Sequence, residues 1–73
     1  MADSYRGIGI AYWEKGDYSE ASQAFESALS SGAQETGAIY NLLGACKMKL
    51  EDYTGAIEYY EKGKKTKEYN LKF

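Results

Sequence analysis

The chain has no histidine, no proline, one cysteine and no excess of basic residues, and each shortage removes a class of function. Without histidine it lacks the commonest general base and metal ligand. Its acidic residues alternate with lysines along stretches that read as solvated helix surface. The sequence therefore predicts a protein that is not an enzyme, with no catalytic residue and no metal. Gly7-Ile8-Gly9 is only a GxG, without the third glycine and preceding strand of a dinucleotide fingerprint, so no cofactor is expected. Cys46 has no partner for an internal disulfide and no CxxC neighbour, which makes it a small hydrophobe within an apolar helix. A net charge of −2 and a pI near 5.0 argue against a phosphate backbone as partner, so no nucleic acid is expected. No stretch approaches the roughly 18 consecutive apolar residues of a membrane span, and the opening MADSYRG lacks a basic start followed by an apolar run. The expectation is a soluble chain without membrane insertion, with the cytosol as its default location.

What is present is a repeat. Tyr5–Ala28 returns as Tyr40–Gly63, with Gly9 answered by Gly44, Asp17-Tyr18 by Asp52-Tyr53, Ala21 by Ala56, Phe25 by Tyr60 and Glu26 by Glu61, all at a spacing of 35 residues. A fixed period of that length means stacked supersecondary units. The 73 residues leave room for two such units, about 2–35 and 37–70, in a single domain spanning 1–73. A domain of this size buries only about 60% of its unfolded surface, so its stability is marginal. Hydrophobic and charged residues at 44% and 27% fit a globular chain, in which eight tyrosines are the one excess.

The apolar spacing predicts four helices and no strands. The first runs from about Asp3 to Lys15, with Asp3 and Ser4 as candidate caps and Tyr5, Ile8, Ala11 and Tyr12 in an apolar pattern. Gly16-Asp17 breaks it, and a second helix covers about Tyr18–Ser30, with an apolar stripe of Tyr18, Ala21, Phe25, Ala28 and Leu29 and Ser19 helping to cap its start. SSGAQETG is a loop in which Gly32 takes a left-handed turn and Thr36 caps the next helix. The third helix covers about Gly37–Leu50, turning Ile39, Tyr40, Leu43, Gly44 and Leu50 toward a core. The fourth begins near Tyr53 and carries Ala56, Ile57, Tyr60 and Gly63 inward. Nothing after Gly63 breaks it, so it is free to continue toward Phe73. Gly9 and Gly44, each costing about 1 kcal/mol inside a helix, mark places where a neighbouring helix passes close.

This arrangement resembles the tetratricopeptide repeat, with its pattern W-x2-L-G-x2-Y, then A-x3-F, then P. The first copy reads Tyr5-x2-Ile8-Gly9-x2-Tyr12, then Ala21-x3-Phe25; the second reads Tyr40-x2-Leu43-Gly44, then Ala56-x3-Tyr60. The departures are Lys47 at the position of Tyr12, Ala33 and Glu68 in place of the closing proline, and a period one residue longer than the family's 34. The resemblance implies an all-α fold, two helix-turn-helix units of antiparallel helices stacked as a short right-handed α-solenoid. In that frame Tyr5, Ile8, Tyr12, Phe25, Leu43 and Tyr60 fill the space between helices.

It also implies a function. In such proteins the first helix of each unit lines a concave groove that receives an extended peptide or a partner helix. The groove positions fall here on Asp3, Arg6, Ile10, Trp13 and Glu14, then on Ala38, Asn41, Ala45, Met48 and Lys49. Tryptophan and methionine suit such a contact surface, one as a hot spot and the other as an adaptable side chain. Trp13 and Met48 packing on each other or on Tyr12 is the competing expectation. A carboxylate clamp of the kind found in chaperone co-factors is at most residual, because Arg6 fits its basic position but Ile10 and Leu42 stand where asparagines belong. Lys62, Lys64, Lys65 and Lys67 form a basic end that complements a helix C-terminus.

Stacked units generally need three or more members with polar caps. Three arrangements meet that need: the tail 68–73 folds back as a partial cap, two chains stack or exchange helices into a homo-oligomer, or the segment belongs to a longer array. The sequence thus predicts an interaction module with a protein or peptide partner, or else a structural domain that assembles with copies of itself.

Overall fold

Three turns of one design organise the chain. In the computed structural model, which describes the backbone of residues 2–71 and the side chains of residues 4–65, the helices are α1 (Ala2–Lys15), α2 (Tyr18–Ser30), α3 (Thr36–Lys49) and α4 (Tyr53–Leu71). The first three each end in a pair of backbone bonds. The N–H of Asp17 donates to the carbonyl of Tyr12 (2.9 Å) and that of Gly16 to Trp13 (2.9 Å); Ala33 to Ala28 (3.1 Å) and Gly32 to Leu29 (3.1 Å); Asp52 to Lys47 (2.8 Å) and Glu51 to Met48 (3.0 Å). This pairing satisfies carbonyls that a helix end otherwise leaves open, and it needs a left-handed residue at its pivot. Gly16 and Gly32 take that conformation with φ of 88° each, as the turn chemistry predicts. At the third pivot the chain has Glu51, forced to φ of 62° without glycine's freedom.

The helix starts differ from the sequence expectation by a residue or two. Asp3 and Ser4 lie inside the first turn of α1, and Thr36 is the first residue of α3, with Glu35 as its cap. Asp17 occupies the cap of α2 without a side-chain bond, leaving Ser19 inside the helix. Asp52, by contrast, accepts the backbone N–H of Gly55 on Oδ1 at 3.1 Å, fastening the start of α4. The fourth helix runs on to Leu71, well beyond the length of α2. Phe73 and the side chains of the tail 68–73, expected as a partial cap, lie outside the described residues.

Each helix packs on the next in the chain, α1 on α2, α2 on α3 and α3 on α4, and there is no strand among the described residues. The closest approaches are where glycine predicted them. A Cβ on Gly9 would stand 2.6 Å from the Phe25 ring, and a Cβ on Gly44 would stand 2.8 Å from the Tyr60 ring. The two hairpins are therefore closed by the same device, an aromatic ring of the second helix laid on a glycine of the first.

The core is the junction between the hairpins. Ala21, Phe25 and Ala28 of α2 meet Ile39, Leu43 and Cys46 of α3, all buried, with Tyr12, Trp13, Leu29, Tyr40 and Tyr59 packed around them. Several residues expected in the core are not there. Tyr5 and Ile8 on α1, Leu50 at the end of α3, and Ile57 and Tyr60 on α4 are exposed. The reason is positional. Ile8 and Ile57 lie on the sides of α1 and α4 where a further hairpin would stack, and Leu50 is the C-cap residue of α3.

Candidate functional site

The groove residues divide into two clusters and a set of open side chains. At one end, Trp13 from the last turn of α1 meets the ring of Tyr18 edge-on, with centroids 4.9 Å apart and planes at 71°. On the same ring, Lys49 from the end of α3 places its Nζ 5.9 Å from the centroid. Such edge-on aromatic pairs and cation contacts are each worth about 0.5–1.5 kcal/mol at partly exposed sites. Trp13 and Lys49, one from each groove helix, thus converge on Tyr18, which the apolar spacing assigns only to the α2 stripe. Its turn position, five residues after Trp13 across the tight Gly16 pivot, was the available signal.

At the other end, Arg6 of α1 reaches across to the loop before α3 and forms an ion pair and hydrogen bond with Glu35. Glu35 was not among the expected site residues, because nothing local links positions so far apart in the chain. Asn41 turns its amide oxygen toward α4, where it stands 2.6 Å from the point a Cβ on Gly63 would occupy. Gly63 therefore leaves room for a side chain of the groove helix.

Ile10, Glu14, Ala38, Asn41, Met48 and Lys49 are exposed, whereas Arg6, Trp13 and Ala45 are half-buried. The side chain of Asp3 lies outside the described residues. Trp13 meets Tyr18 and packs against the core, while Met48 is exposed.

A second aromatic cluster ties the units together away from these residues. The Tyr59 hydroxyl on α4 donates to Oε2 of Glu26 on α2 at 2.9 Å, and its ring stacks on Tyr40 with centroids 6.3 Å apart. Lys62 lies 5.5 Å from the Tyr59 ring centroid and 5.8 Å from that of Tyr40. Burial pushes the Tyr59 hydroxyl up to about 12, reinforced by its bond to Glu26 and by the negative charge there. Burial likewise pushes the Cys46 thiol up to about 11, partly offset by Lys47, which keeps it in the unreactive protonated form. Among the described residues no group of acidic or cysteine side chains is placed to hold a metal ion, and no helix is long and apolar enough to cross a membrane.

Two helical hairpins of like sequence, stacked through a shared apolar junction, define a helical-repeat protein. The family model described as tetratricopeptide repeat matches residues 6–70, and the chain belongs to that family. No curated protein matches the chain as a relative. Tetratricopeptide repeats generally mediate protein–protein interaction or scaffolding, and the family is typically non-catalytic.

Proposed function

We propose that the chain is a non-catalytic adaptor that receives an extended peptide or a partner helix along the surface of α1 and α3. The observation that carries this reading is the convergence of Trp13 and Lys49 on Tyr18, which brings a residue of each groove helix to one ring. The same two helices carry Ile10 and Met48, two exposed apolar side chains, together with Glu14, Asn41 and Ala45, and Arg6 of α1 pairs with Glu35. A rigid aromatic anchor beside an adaptable methionine and a polar rim is the composition of a contact surface whose energy is concentrated in few residues.

Trp13 is the only tryptophan, so its fluorescence reports on this surface directly. Peptides selected for binding to the intact chain should shift that emission. Ile10→Glu and Met48→Glu should each weaken the selected peptides about tenfold or more, the scale of a lost interface anchor. Unchanged affinity in both variants would sink the groove reading. A second reading, self-assembly through exposed helix faces, is favoured by one separate observation: α1 and α4 each leave apolar side chains uncovered on the side facing away from the junction.

A further inference from the structure

The two uncovered faces correspond to the two halves of the α2–α3 junction, one repeat earlier and one repeat later. We infer that they are halves of a single contact: the outer face of α4 in one copy packs against the outer face of α1 in a second copy, head to tail, in the register of the α2–α3 junction. The inference rests on the self-assembly reading and adds to it the faces, the polarity and the residue register.

Inside the chain, Ser22 and Phe25 of α2 are both buried, and Phe25 packs in one cluster with Ile39, Leu43 and Cys46 of α3. One repeat spacing later, the positions of Ser22 and Phe25 are held by Ile57 and Tyr60 on α4. One repeat spacing earlier, the positions of Ile39, Leu43 and Cys46 are held by Ser4, Ile8 and Ala11 on α1. The sizes compensate. The α4 face gains volume where isoleucine replaces serine, and the α1 face loses it where serine and alanine replace isoleucine and cysteine. Interior packing tolerates swaps that conserve total volume. The Tyr60 ring already sits on Gly44 as Phe25 sits on Gly9, so the outer side of the ring is presented as Phe25 is presented to α3.

A second copy is the occupant because one chain carries both halves of the contact and none of its described residues turns back onto the α4 face. The first hairpin turns back at left-handed Gly32 and lays α3 on α2. Lys67 holds the corresponding position, and the chain stays helical to Leu71 instead of turning back onto the face. Two copies related by this contact are not related by a two-fold axis. Each pair leaves one α1 face and one α4 face open, so the contact propagates.

Sedimentation of the full chain tests this with Ile8→Glu, Ile57→Glu and their equimolar mixture, circular dichroism confirming that each variant stays helical. The wild type should associate increasingly with concentration. Each variant alone should be monomeric, because each lacks one half of the contact. The mixture should form dimers and nothing larger, the intact α4 face of the Ile8 variant meeting the intact α1 face of the Ile57 variant. If the wild type associates but either variant alone still dimerises, or the mixture stays monomeric, the head-to-tail register is wrong while self-assembly stands. Association abolished by Ile10→Glu and untouched by both outer variants would place the contact in the groove and overturn the inference. A wild type that stays monomeric at high micromolar concentration would remove both it and the self-assembly reading, leaving those faces to a different partner.

Discussion

Leu43 and Ile8 hold the same position in the two units, yet Leu43 is 0% exposed and Ile8 is 47% exposed. Ser22 and Ile57 form the reverse case, the small polar residue at 4% and the large apolar one at 57%. Burial here is decided by whether a neighbouring unit stands alongside, and only secondarily by the side chain's own chemistry. The same contrast governs the rings, since Phe25 lies on its glycine and is fully buried in the junction, whereas Tyr60 lies on its glycine and stays 39% exposed. A repeat unit therefore carries a face that is core in one context and surface in another.

The largest expected difference between the units lies at that shared position. Leu43→Ala should cost about 2–5 kcal/mol, the range for emptying a buried leucine site. Ile8→Ala, measured at concentrations low enough to exclude association, should stay within about 0.5 kcal/mol. Denaturant unfolding of both variants checks the pair. Comparable losses would mean that α1 is covered after all, and the contrast between inner and outer faces would disappear.

A narrower gap is expected at the glycines. Alanine at Gly9 pushes into a ring with no room to move, and overpacking of this kind costs about 1–3 kcal/mol. Alanine at Gly44 meets the Tyr60 ring at a similar distance, but that ring is open on its outer side and can swing away. The gain in helix propensity of about 1 kcal/mol then offsets much of the strain. Gly44→Ala should therefore be near neutral, and thermal unfolding of the two variants side by side reads the difference. Equal losses would show the Tyr60 ring to be as confined as Phe25.

These cases mark what the sequence made legible. The unit, its four helices and both close-approach glycines could be read from spacing, because a left-handed pivot and a missing side chain leave local traces. Coverage could not. The period places Ile8 and Ile57 on an apolar stripe but is silent on whether anything lies against it. The helix starts were blurred for a related reason: Asp3, Ser4 and Thr36 are as favourable in a first turn as at a cap, since either position sets polar atoms near unpaired N–H groups. Of the groove, Trp13 and Lys49 were named from the resemblance. Their meeting point on Tyr18 and the reach of Arg6 to Glu35 are long-range contacts with no local signature.

The turns extend the comparison from neighbours to backbone. Gly16 and Glu51 hold the same pivot, and a residue other than glycine in the left-handed region costs about 1–2 kcal/mol. Glycine also loses about 0.5–1 kcal/mol of unfolded-state freedom relative to alanine. Glu51→Gly should consequently stabilise the chain by about 0.5–1 kcal/mol, while Gly16→Ala destabilises it by a similar amount or more. Opposite signs in the two unfolding curves are the readout. A destabilising Glu51→Gly would mean that the glutamate side chain makes a compensating contact.

The last contrast is at Tyr59, whose counterpart in the first unit is the buried Ala24. The tyrosine ties α4 to Glu26 of α2, a link the first unit has no residue to make. Folding raises its hydroxyl from 10.0 to about 12, so the folded chain holds this proton more tightly than the unfolded chain does. The resulting stabilisation is complete below pH 10 and declines as the pH rises toward 12. Tyr59→Phe removes both the bond and this titration. It should cost about 0.5–1.5 kcal/mol near neutrality, the net worth of one hydrogen bond, reduced by the partial exposure of the pair. The gap between wild type and variant should then narrow above pH 10, as the wild type gives up what the variant never had. A gap that stays constant through that window would mean that Tyr59 contributes through its ring against Tyr40 and not through its proton.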